Sequence, residues 1–138
     1  MYATLVSIHT FLRIIVLVIV PIALLVSYYA WRQKQAYTKF HELIARLNIG
    51  INHAQFLVGL ILLTHSPKVD FNQLSTAPHL RYSILHPVVM LLAIAFVTFS
   101  FVLTRNKTES ATRHKLSFRY NLIAYVLLLI GQAISLLP

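Results

Sequence analysis

Four long apolar runs, none containing Asp, Glu, Lys or Arg, alternate with three shorter stretches that hold nearly every charge. The runs are Ile14 to Ala30 (17 residues, continuing through Trp31), Leu47 to Thr64 (18), Tyr82 to Thr104 (23) and Tyr120 to Pro138 (19). Each is close to the ~20 residues with which a helix crosses a ~30 Å hydrocarbon core. None alternates with the period of two that marks a membrane-barrel strand, and a helix satisfies its own backbone hydrogen bonds in lipid. The pattern predicts spans over residues 10–31, 44–64, 80–104 and 117–137. The first run exceeds a signal-peptide core of about 7–15 residues. Tyr28, Tyr29 and Trp31 also form no small-residue cleavage site, so this run is read as a retained span. Short connections make successive helices antiparallel. The expected fold is an all-α, up-down-up-down integral-membrane four-helix bundle, one transmembrane domain over residues 1–138 with both termini outside. Ser66-Pro67 and Ala77-Pro78 are expected to mark turns in the longest connection.

Composition agrees with this pattern. Hydrophobic residues make up 58% of the chain and charged residues 11%, where a globular domain carries about 25% charged. A chain this short cannot hide so much apolar surface from water. A soluble domain and a disordered chain are both excluded. The absence of cysteine removes disulfides, thiolate metal sites and cysteine nucleophiles.

The net charge of +9 sorts by connection. The first and third connections hold nine cations: Arg32, Lys34, Lys39, Arg46, Arg105, Lys107, Arg113, Lys115 and Arg119. The second holds two, Lys68 and Arg81. The positive-inside rule then places the first and third connections in the cytoplasm, with both termini and the second connection outside. Topology and contact with anionic lipid account for the charge, so no nucleic-acid partner is expected.

Polar groups inside spans are costly, so each needs a reason. His9 and Arg13 lie four residues apart and share a helix face. Arg13 either snorkels to the headgroups or pairs with a buried anion such as a propionate or phosphate. Asn48, Asn52, Gln55 and Gly59 form a stripe expected to face the bundle interior, with His53 one residue round from it. In the third span His86 precedes Pro87, and Met90 follows four residues after His86. His86 and Met90 are either a soft ligand set for a metal or haem, or a packing methionine below a capping histidine. His41, His114, His65 and His79 are read as solvated residues of the connections.

No catalytic set emerges. Glu42, Asp70 and Glu109 are the only carboxylates and fall in different connections, and the glycines at 50, 59 and 131 make no phosphate loop. The spans contain no carboxylate for a transported cation or a proton relay, which argues against a pump.

The layout resembles a family of small four-span membrane proteins, common in Bacteroidetes-type bacteria, that are labelled cytochrome b-like. The matching pieces are His9-x-x-x-Arg13, His53-x-Gln55-x-x-x-Gly59 and His86-x-x-x-Met90, within a similarity of layout over nearly the whole chain. Relatives often carry Glu immediately before the third-span histidine, where this chain has Leu85. A carboxylate that would orient the imidazole is thereby missing. The resemblance implies b-type haem and electron transfer, with His9, Arg13, His53, Gln55, His86 and Met90 as candidate cofactor-binding residues.

Depth and direction bear on which histidines would pair. At about 1.5 Å per residue, His86 lies roughly 6 Å and His53 roughly 16 Å inside the outer boundary, and His9 about 3 Å beyond it. Helical side chains lean toward the N-terminus, so His9 and His86 lean alike and His53 leans away. His9 and His86 are the favoured axial pair and metal ligands, with His53 the competitor. Two functions are expected: a haem-binding electron-transfer protein or subunit, or a non-catalytic accessory subunit of a larger membrane complex or homo-oligomer. A quinone or lipid site beside the Asn48/Asn52/Gln55 stripe is compatible with either.

Overall fold

The computed structural model describes residues 1–137. Four helices form it: α1 (Tyr2–Arg32), α2 (Lys39–His65), α3 (Ala77–Arg105) and α4 (Ser110–Leu136). No strand occurs among the described residues. α1 packs on α2 and α4, and α3 packs on the same two, so α1 and α3 face each other across a diagonal. Both chain ends lie with the long α2–α3 connection at one end of the bundle (the terminal end). The two cation-rich connections lie at the other (the basic end).

All four helices are long and apolar enough to cross a membrane. No more than 28% of any span's apolar window is buried inside the bundle. Many large apolar side chains, among them Phe11, Leu25, Leu57, Leu91 and Ile130, are exposed and need a hydrocarbon solvent. The helices also overrun the apolar runs. α1 begins at Tyr2, well before residue 10, because nothing in the preceding residues breaks a helix.

Two prolines shape α3. Ala77-Pro78 opens the helix instead of making a turn, since proline suits a first helical turn that needs no amide donor. Arg81–Leu85 then form a π-helical turn in which the His86 amide donates to the Arg81 carbonyl. Pro87 follows directly. It has no amide hydrogen and would crowd the carbonyl four residues back, and the wider turn accommodates it.

Inside, the bundle is layered. Val16, Ile19 and Val20 of α1 meet Ala93 and Leu128 in an apolar middle layer. Toward the basic end the core turns polar, and every helix contributes. Asn48 donates to Asn121 Oδ1 at 2.8 Å, and Asn52 donates to Asn48 Oδ1 at 3.0 Å. Asn121 donates to Ser100 Oγ at 2.9 Å, and the Ser27 and Ser117 hydroxyls share a bond of 2.8 Å. Small side chains (Ala30, Ala124 and the serines) let the diagonal pair α2 and α4 reach one another here. The Asn48/Asn52 part of the stripe thus faces inward, as its spacing requires.

The basic end holds a correction. His114 is only 1% exposed, not solvated. Its ring packs against Tyr37 and His41, with centroids 5.3 and 4.6 Å away, and its Nε2–H donates to the Gln35 carbonyl at 3.1 Å. The Arg113 guanidinium covers Tyr37 at 3.5 Å from the ring centre. This aromatic plug ties the first connection to the start of α4, a long-range contact that no local pattern announces.

Candidate functional site

Between the apolar layer and the terminal end the four helices part around a cleft. Its deeper compartment, about 90 Å3, is bordered by His9, Arg13, Gln55, His86, Met90 and Gln132, among apolar side chains. The wider compartment at the mouth, about 250 Å3, shares His9, Arg13, Gly59, Leu63, His86 and Pro87 in its walls. Together they come near the lower end of the roughly 300–1,000 Å3 typical of small-molecule sites.

Five of the six sequence candidates converge there: His9, Arg13, Gln55, His86 and Met90. His53 does not. It is exposed on the outer surface of the bundle, its Nδ1–H donating to the Ile49 carbonyl at 2.8 Å and its Nε2 near the Thr98 hydroxyl at 3.5 Å. One residue along a helix is a turn of about 100°, enough to carry His53 out of the interior face that Asn52 occupies.

His86 is held by α4. Its Nδ1 lies 3.0 Å from the Gly131 carbonyl, which can only accept, so Nδ1 carries the proton and Nε2 keeps the lone pair. That carbonyl fixes the orientation of the imidazole. Any residue at 131 would supply that carbonyl, but glycine also leaves room for Met90, because a Cβ there would overlap the Met90 methyl. Gly59 does the same for His9, whose Cε1 lies 3.3 Å from where a Cβ would stand. The significance of both glycines depends on side chains from other helices.

The His9 ring meets Gln55 at 3.3 Å through Nε2, while His9 Nδ1 and Gln55 Oε1 are buried with no partner. Reversing the amide exchanges the roles but still leaves one ring nitrogen and one amide atom unsatisfied. Orphaned polar atoms bordering a cavity are what a bound ligand would satisfy. Among the described residues no acid borders the cleft. Glu42 pairs with Arg46, Asp70 Oδ1 accepts from the Asn72 amide, and Glu109 accepts from the Thr112 hydroxyl. Among the described residues no cluster of three or more His, Cys, Asp or Glu could hold a metal ion by itself.

Gln132 and Lys68 join the site without having been singled out for it. Gln132 comes from α4, and Lys68 is folded over the mouth by the α2–α3 connection. That connection is pinned by the Asp70 amide donating to Ser83 Oγ at 3.0 Å and by His79 Nδ1–H donating to the Lys68 carbonyl at 3.0 Å. The chain matches no family model, no curated protein and no solved structure.

Proposed function

We propose that the cleft binds b-type haem between His9 and His86, near the outer face of a bacterial inner membrane, and that the protein serves electron transfer. The observation that carries this reading is His86. Its Nδ1–H is committed to the Gly131 carbonyl, which leaves Nε2 as the donor atom, as in metal-ligating histidines. His9 supplies the second imidazole from the diagonal helix and has a buried ring nitrogen without a partner. The donor set fits haem. Gln55 orients His9, Met90 and Leu128 line the apolar wall, and Arg13 stands beside both imidazoles. Haem, when bound, supplies one-electron chemistry whose potential responds to the ligands and polarity around the iron.

A reduced-minus-oxidised visible spectrum of protein expressed with ample haem tests the reading. Bands of a six-coordinate b-type centre are expected, and His9→Ala and His86→Ala should each abolish or shift them. Absence of any Soret band in the wild-type protein would refute it.

One observation favours association with another membrane protein as a second role. His53 is exposed on an apolar face, and Gly50, one turn away, has nothing near its missing side chain. An imidazole against lipid is costly, and a notch beside it suits an approaching helix. Purification in gentle detergent tests this: a strictly monomeric, partner-free species would count against it.

A further inference from the structure

The mouth of the cleft has a chemical character of its own. Arg13 and Lys68 both border it, together with Tyr2, Ser66, Tyr82 and Ser135. No carboxylate is paired with either cation among the described residues, since all three acids are engaged elsewhere. The Lys68 ammonium lies 4.9 Å over the Tyr82 ring, and the Tyr82 hydroxyl donates to the Ser135 carbonyl at 3.0 Å, which steadies that ring. Below the mouth, Val16, Leu17, Phe56, Ile94 and Leu128 wall the deeper compartment with hydrocarbon. One cavity thus joins an apolar floor to a cationic rim to which no described side chain supplies a counter-charge.

We infer that the cleft takes an amphiphilic oxyanion, with its apolar body in the deeper compartment and its carboxylate or phosphate at Arg13 and Lys68. Two cations beside one cavity repel each other, and an oxyanion between them reverses that cost. Arg13 is the principal contact, because a guanidinium fork matches two oxygens of one group while an ammonium acts as a point charge. Haem propionates and the phosphate of an outer-leaflet phospholipid share this chemistry. The haem source rests on the reading above, and the lipid source does not.

The test has two arms, both on the purified full-length protein. In the first, haem b and its dimethyl ester, which lacks free carboxylates, are titrated by absorbance into wild type and Arg13→Gln. The variant should lose about tenfold or more in haem affinity, the scale of a lost charge-assisted hydrogen bond, and bind the ester as wild type does. Arg13→Lys should recover part of the loss. In the second arm, thermal unfolding in detergent is followed with added phosphatidylglycerol, phosphatidylethanolamine or inorganic phosphate. Phosphatidylglycerol should raise the wild-type Tm most, with the gain reduced in Arg13→Gln and in Lys68→Gln. Lys107→Gln, at the basic end, should keep it.

If neither porphyrin binds, the haem reading fails and the lipid arm alone decides the oxyanion site. Equal stabilisation by inorganic phosphate and phosphatidylglycerol would overturn the amphiphilic part. Lipid shifts and porphyrin affinities that are unchanged in Arg13→Gln would overturn the whole.

Discussion

The polar layer makes a quantitative prediction about what holds the bundle together. Asn121 is 2% exposed and joins three helices, accepting from Asn48 at 2.8 Å and donating to Ser100 Oγ at 2.9 Å. Cross-helix hydrogen bonds in membrane proteins average about 0.6 kcal/mol and reach about 1.7. Two of them are lost in Asn121→Ala, and the Asn48 amide keeps only its neighbour Asn52 as a partner. A buried group left unsatisfied costs about 1–3 kcal/mol, so about 2–4 kcal/mol is expected for Asn121→Ala. Asn48→Ala loses the same central bond and should cost about 1–3 kcal/mol. Because that bond is shared, the double variant should fall short of the sum by about 0.6–1.7 kcal/mol. The assay is equilibrium unfolding in mixed micelles of rising denaturing-detergent fraction, followed by helical ellipticity. Additivity within about 0.3 kcal/mol would show that the two amides are not coupled and would refute the placement of this layer.

Three further predictions address the site and the ends of the bundle. Gly131→Ala forces the Met90 methyl aside and should cost about 1–3 kcal/mol, as overpacking does, with Met90→Ala restoring most of the loss; a variant as stable as wild type in the same unfolding assay would contradict the contact. His53→Leu should leave the visible spectrum and porphyrin affinity unchanged, because His53 lies outside the cleft; loss of the haem bands would reinstate it as a ligand. Burial pushes the Tyr37 phenol above its ordinary value, with Arg113 opposing the shift. Since the raised value belongs to the folded state, its stability contribution is intact below pH ~10 and is lost as pH climbs through the folded pKa. Comparison of alkaline unfolding in wild type and Tyr37→Phe checks this: the variant should lack that part of the alkaline decline.

Much of the architecture was legible because lipid imposes simple rules on a chain. Span number, antiparallel order and the inward face of Asn48 and Asn52 follow from run length, loop length and the cost of bare amides in hydrocarbon. Helix spacing paired His9 with Arg13 and His86 with Met90, and side-chain lean favoured His9 and His86 over His53. The candidate set as a whole came from the family resemblance and wrongly drew His53 into the cleft. Elsewhere the local pattern misled. Ala77-Pro78 suits a turn or a helix start equally, and only the chain on either side selects the helix. His114 looks solvated in sequence, because its neighbours Tyr37 and His41 are more than seventy residues away.

The amino-acid pattern alone determined that this is a four-helix membrane protein with a basic end, since apolar length and charge placement act residue by residue. Tertiary structure alone decided which imidazoles face a cavity and which atoms orient them. The Gly131 carbonyl that anchors His86, the space that Gly131 and Gly59 leave for Met90 and His9, and the reach of Lys68 over the mouth depend on the approach of one helix or connection to another. His86 has no fixed orientation until α4 supplies the carbonyl to which it donates.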